Sequence, residues 1–259
     1  MAFVSPEARL GDGIQVGPFA YIDAGAVIGD GCRILNGATV YSHVRMGKDC
    51  TVYPGAVVGA IPQDLKFDGE ESWVEIGDRV VIRECATVNR GTLASGRGTT
   101  RIGDDTLVMS YAHVAHDCQI GKHCILVSYA GLAGETDVED WGVVGGKTGS
   151  HQFSKVGTHA FVAACVKITK DVPPYTLAGR DPIVFEGINR VGLQRHGFSE
   201  EDAALIKSIY DAIYFEGRNV SQALEYIEGN FPPSEIRDNI LRFIRSSRRG
   251  IVSKPRPIR

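Results

Sequence analysis

The fifteen residues SYAHVAHDCQIGKHC, from Ser110 to Cys124, contain three histidines, an aspartate and two cysteines. Two chemistries suit such a set, proton transfer by one imidazole or metal binding by several. An imidazole titrates near neutral pH, so His116 can take a proton from a hydroxyl while the adjacent Asp117 orients the ring and stabilises the imidazolium. His113, His116 and His123 can instead be drawn around a zinc ion that hydrates carbon dioxide. His113 and His116 stand three apart in what reads as extended chain, however, and extended backbone turns such pairs to different faces. Proton transfer is therefore the reading taken, and neither a metal nor a cofactor is assigned.

A repeat must position these groups. An aliphatic residue recurs at every sixth position from Leu10 to Val58, and in the same phase at Ile76, Ile82 and Val88. The beat shifts phase and then runs from Ile102 to Ile168, with Ser150 the single miss. AIPQDLKFDGEESWV and TLASGRGTT interrupt it and read as loops leaving a regular coil. A period of six fits neither an α-helix nor a simple amphipathic strand; it fits short strands joined by tight turns, one inward aliphatic residue each. Glycines follow many beats, as in VGPF, IGDG, MGKD and IGKH, and are assigned to tight turning and positive φ.

This pattern resembles the hexapeptide-repeat, left-handed parallel β-helix, in which three hexads make one triangular coil of about 18 residues. Residues 18 apart then lie above one another at about 4.8 Å. His116, Gly134 and Gln152 form such a column, with His113 and His151 beside its ends. A glycine one coil from an imidazole leaves its backbone N–H open to an oxyanion. Of the other histidines, His43, His123 and His159 read as solvated side chains.

The chain of 259 residues is long enough to fold without disulfides or metals. A net charge of −3 gives no pull toward nucleic acid, although the tail RFIRSSRRGIVSKPRPIR is locally basic. No run of 18 uncharged apolar residues or export signal appears, so the protein is expected to be cytoplasmic and not membrane-spanning. The six cysteines never form a Cys-x-x-Cys pair and read as reduced, buried thiols. After DVPPY the pattern becomes helical: SEEDAALIKSIYDAIYFEG opens with a capping-box-like Ser199 and Asp202, and NVSQALEYIEG and PSEIRDNILRFIRSS follow. The domain reading is an all-β left-handed parallel β-helix over 1–180, with loop insertions near 60–74 and 92–100. A small α-helical C-terminal domain over 181–259 covers the open end of the solenoid.

PQDLKF, VEIGDRVVIRECATVNRGT, AHVAHDCQIG, LAGE, GGKTGSHQF, DVPPYTLAGRDP and GINRVGLQRHGFS occur in this order. The ordered set resembles the UDP-N-acetylglucosamine 3-O-acyltransferases of lipid A biosynthesis, which draw a 3-hydroxyacyl chain from acyl carrier protein. The resemblance implies a homotrimer with active sites between neighbouring β-helices, His116 as general base, Asp117 orienting it and the Gly134 N–H stabilising the oxyanion. It further implies that His113, His151 and Gln152 line sugar and acyl chain, that Asp64 and Lys66 hold the sugar nucleotide, and that Asn189 and Arg195 lie near uridine and phosphate. Ala164, with Phe161 nearby, falls where acyl length is measured, and the small alanine favours long chains. Arg237, Arg242, Arg245, Arg248 and Arg249 are available to an acidic carrier protein. Glu135 stands where many relatives carry a histidine, and Val191 where an acidic residue is common. The repeat begins by Leu10, which leaves no room for the extra N-terminal domain of the related N-acyltransferases. A β-helix serving only as scaffold would not need His116.

Overall fold

The computed structural model describes residues 1–254. Short parallel strands stack into three sheets, and successive strands along the chain pass from one sheet to the next, winding a left-handed triangular prism. The first face runs from Phe3–Val4 to Lys167–Ile168, the second from Arg9–Leu10 to Lys155–Val156, and the third from Gln15–Val16 to Val184–Ile188. Register partners are 18 residues apart wherever the hexads are uninterrupted, as in His113 with Gly131 and Gln119 with Asp137. The two loops lengthen single coils: Val44 pairs with Val74, and Thr87 with His113. These positions are 30 and 26 apart.

The aliphatic beats point inward, and from Ile22 to Ile168 those that are buried are at most 5% exposed. Each contributes about 1.5–3 kcal/mol by leaving water. Leu10 departs from this, being 39% exposed, because Arg9–Leu10 is the end strand of the second face. Ser150 fills its inward place by hydrogen bonding: its Oγ accepts from the Ala133 N–H at 2.9 Å and lies 2.7 Å from Thr136 Oγ1.

The glycines after the beats have a different cause from the one expected. Gly121 does not have positive φ; a Cβ there would lie 2.6 Å from the Asp140 backbone nitrogen of the next coil. Close coil-to-coil approach selects it, and the left-handed corner two residues later is held by His123 with φ +55°. Asp117 and Glu135 occupy such corners at +62° and +58°. The left-handed conformation is thus taken mostly by non-glycine residues, whose cost the stacked coils on either side overcome.

The helical region begins later than the sequence pattern indicates. Thr176–Gly179 and Val184–Ile188 form an antiparallel hairpin that closes the third face. Four helices follow among the described residues: α1 (Arg190–Arg195), α2 (Glu200–Tyr214), α3 (Val220–Asn230) and α4 (Glu235–Ser246). The short α1 was not legible in the sequence. Ser199 and Asp202 form a reciprocal capping box on α2. The helices seal the end of the prism, with Tyr210 donating to the Pro174 carbonyl at 2.6 Å and Asn239 to the Tyr175 hydroxyl at 2.9 Å.

Cys32, Cys50, Cys118 and Cys124 are buried, but Cys85 and Cys165 sit exposed on corners between the third and first faces. His159, expected in solvent, is 8% exposed, stacked between Trp141 and Tyr175. No helix among the described residues is long and apolar enough to cross a membrane.

Candidate active site

The edge between the first and second faces carries His116, Gly134 and Gln152 on successive coils. Their alignment is held by backbone bonds from Glu135 N–H to the His116 carbonyl (3.0 Å) and from Phe153 N–H to the Gly134 carbonyl (3.2 Å). The imidazole of His116 lies across Gly134: a Cβ on that glycine would sit 2.4 Å from both Cε1 and Nε2. Space rather than backbone conformation therefore demands glycine, since its φ is not positive. The Gly134 N–H donates to no acceptor among the described residues.

His116 is 7% exposed and Asp117 fully buried, with Nδ1 of the imidazole 2.9 Å from Oδ2 of the aspartate. A carboxylate accepts, so Nδ1 is the nitrogen that donates to Asp117, which leaves Nε2 as the nitrogen free to exchange a proton with a substrate. Nε2 faces Oδ2 of Asp64 at 3.7 Å. The other oxygen of Asp64 accepts from the Lys66 N–H at 3.0 Å, an Asx turn that shapes the 61–72 loop and brings the carboxylate over the histidine. The Lys66 side chain is exposed.

His113 points outward on the first face with Nδ1 2.7 Å from Thr87 Oγ1, and burial, with His116 nearby, lowers its pKa. Glu135 borders the same edge, and desolvation raises its carboxyl pKa although Arg97 opposes the shift. His151 and Gln152 are exposed at the lower end of the column. Beside them a cavity of about 900 Å³ is lined by Arg97, Glu135, Phe153, Lys155, Arg248 and Arg249.

The remaining expected residues lie elsewhere on the chain. Asn189 and Arg195 border a cavity of about 540 Å³ with Ile125, Val143, Phe161 and Leu177, on the third face. Asn189 is also the N-cap of α1: Oδ1 accepts from the Gly192 N–H and Nδ2 donates to the His159 carbonyl. Val191, 61% exposed, lines the same cavity. Ala164 and Phe161 are separated, the alanine exposed on the corner between the third and first faces and the phenylalanine on the third face.

His123 stacks on Trp141 at 4.1 Å, at the edge between the second and third faces, so it does not converge with His113 and His116. No group of three or more metal-ligating side chains is gathered among the described residues. The basic tail also differs from expectation. Arg237 is buried, donating to Asp238 and the Phe231 carbonyl; Arg242 pairs with Glu139, and Arg245 with Glu228. Arg248 and Arg249 border the large cavity, and residues 255–259 of the tail lie outside the described residues.

The sequence pattern did not reveal the threonines around this centre, Thr87, Thr92 and Thr100. The one signal was the loss of phase after NRGT, where the chain leaves the coil.

Such a prism of six-residue repeats is the fold of the hexapeptide-repeat transferases, and the family model described as bacterial transferase hexapeptide (six repeats) matches residues 7–42, 25–60 and 99–134. A second model, UDP-N-acetylglucosamine O-acyltransferase, domain 2, matches residues 171–252. The acyl-(acyl-carrier-protein)–UDP-N-acetylglucosamine O-acyltransferase of Thiobacillus denitrificans is 43% identical over 251 residues, 97% of each chain. The UDP-N-acetylglucosamine acyltransferase of Bacteroides fragilis superposes with a TM-score of 0.93 at 43% identity, over 96% of this chain and 97% of that one. The Francisella novicida enzyme does so with 0.93 at 35%, over 97% and 92%. The chain belongs to the UDP-N-acetylglucosamine O-acyltransferase family.

Proposed function

We propose that this enzyme moves a 3-hydroxyacyl chain from acyl carrier protein to the 3-hydroxyl of UDP-N-acetylglucosamine, the first step of lipid A biosynthesis. The observation that carries the mechanism is the stack of His116 on Gly134 with Asp117 behind the ring. Nε2 of His116 takes the hydroxyl proton as the oxygen attacks the thioester carbonyl carbon. The resulting oxyanion is met by the Gly134 N–H, and the imidazolium is held by Asp117. Collapse breaks the C–S bond, and His116 returns the proton to the departing thiolate. No metal or cofactor enters these steps.

Asp64, Lys66, His113, Glu135, His151 and Gln152 surround this centre and hold sugar and acyl chain. Asn189 and Arg195 lie on a different edge of the prism, which supports a site completed by a second copy. The outward column Val81, Leu107, Ile125, Val143, Phe161 and Leu177 on the third face is the apolar surface on which a homotrimer would close. Ala164, small and exposed, leaves room for a long acyl chain.

The test is transfer from a panel of 3-hydroxyacyl carrier proteins to UDP-N-acetylglucosamine in metal-free buffer, wild type against His116→Ala. A loss of about 10²–10⁴-fold is expected from removing a general base. Undiminished transfer by the variant, or no transfer from any donor, would sink the proposal.

A further inference from the structure

We propose that Thr92 is a positioning residue for the acyl transfer, gripping the Asp117 carboxylate so that His116 presents its unprotonated Nε2; this rests on His116 being the base. A carboxylate with no exposed surface needs donors on its oxygens. Asp117 has three. One is His116 Nδ1, and the other two come from Thr92: its N–H lies 3.0 Å from both oxygens and its hydroxyl donates to Oδ2 at 2.7 Å. Oδ2 thus stands between the threonine hydroxyl and the imidazole, so the hydroxyl fixes the rotation of the carboxylate that aims the ring. Thr92 is itself 1% exposed, too deep to touch either substrate, and acts only through Asp117.

The loop containing Thr92 converges on this one residue. Thr87 and His113 are register partners 26 residues apart, where undisturbed coils have 18, so the excess chain at 90–98 must go somewhere. It folds down onto Asp117. A Cβ on Gly91 would lie 2.3 Å from the Thr99 nitrogen and 2.7 Å from Asp117 Oδ1, so glycine lets the loop close. Arg97 Nη1 donates to the Asp117 carbonyl at 2.9 Å while pairing with Asp137, and Thr100 Oγ1 accepts from the Asp117 N–H at 2.7 Å. Carboxylate and carbonyl of one residue are held from the insertion, and its N–H from Thr100 in the strand where the chain rejoins the coil.

Thr92→Val removes the hydroxyl and keeps the shape and the backbone donor. A hydrogen bond to a charged group is worth about 1.5–3 kcal/mol, so kcat should fall roughly 10- to 100-fold. KM for the sugar nucleotide should stay within about twofold, because no substrate contact is lost. Thr92→Ser restores the hydroxyl and should recover most of kcat. In an Asp117→Asn background the valine substitution should cost little more, since its effect runs through the carboxylate. Wild-type kcat in Thr92→Val, equal impairment of the valine and serine variants, or costs that multiply in the double variant would each overturn the proposal. If the valine variant does not fold, Thr92→Ala against Thr92→Ser makes the same comparison. An inert Thr92→Val beside an inactive His116→Ala removes only the role of Thr92; an active His116→Ala removes the base on which it rests.

Discussion

Gly134→Ala is the sharpest perturbation of the His116 column. The new Cβ would be placed 2.4 Å from Cε1 and Nε2 of the imidazole, whereas ordinary contact begins at 3.4 Å, so ring or coil must yield by about 1 Å. The coil has little freedom, because the corner is tied to neighbours through the Glu135 and Phe153 N–H bonds. The imidazole has some, since among the described residues the one polar side chain that Nε2 faces is Asp64, at 3.7 Å. The ring should move and the backbone stay. A displacement of about 1 Å at a reacting group costs roughly 10²-fold in rate, equivalent to about 2.7 kcal/mol of barrier. The measurement is kcat for acyl transfer together with a thermal melt. Gly229→Ala in α3 is the control: the same substitution, with nothing within 4 Å of the new carbon, should leave kcat unchanged and stabilise by about 0.5–1 kcal/mol. A Gly134→Ala enzyme with wild-type kcat would refute the reasoning, and so would a rate loss fully accounted for by unfolding.

Two further outcomes follow from burial. His159, packed between Trp141 and Tyr175 with Nδ1 3.0 Å from Nδ1 of His196, has its pKa lowered by burial and by His196 to about 4. The unfolded chain binds that proton near pH 6.5, so this contribution is complete above about 6.5 and is lost as pH falls toward 4. It amounts to at most about 3 kcal/mol. His159→Phe should flatten the rise in urea midpoint between pH 5 and 7, and an unchanged slope would contradict it. Cys118 and Cys124 have thiol pKa values pushed up to about 12, chiefly by burial. Both should resist iodoacetamide at pH 8 until the protein is denatured, as read by peptide mass; prompt labelling of either in the native enzyme would contradict the burial.

The prism was legible because its code is local. One inward aliphatic residue every six positions sets strand and turn, and the resemblance to the hexapeptide-repeat β-helix implies three hexads to a coil, which puts His116 over Gly134 without knowledge of any long-range contact. Ser150, the miss in that beat, is inward like its neighbours and differs only in bonding to Ala133 and Thr136. The glycines were visible but their reason was not, since Gly121 answers to the Asp140 backbone 19 residues away rather than to its own φ.

What by itself the order of residues determined was therefore the repeat, its interruptions and the three main helices, all consequences of periodicity and near-neighbour capping, and, with the 18-residue coil that the resemblance implies, the His116–Gly134 column. Only the tertiary structure decided where the interruptions go. The approach of Asp64 to His116 and the grip of Thr92 on Asp117 depend on loops returning to particular side chains across 25 or more residues. The burial of Arg237 and the sharing of Asn189 between a helix cap and the His159 carbonyl are likewise decided by what the closing helices meet. Such contacts have no period, because side-chain bonds between an insertion and a distant coil depend on the path of the loop and not on the spacing of residue types.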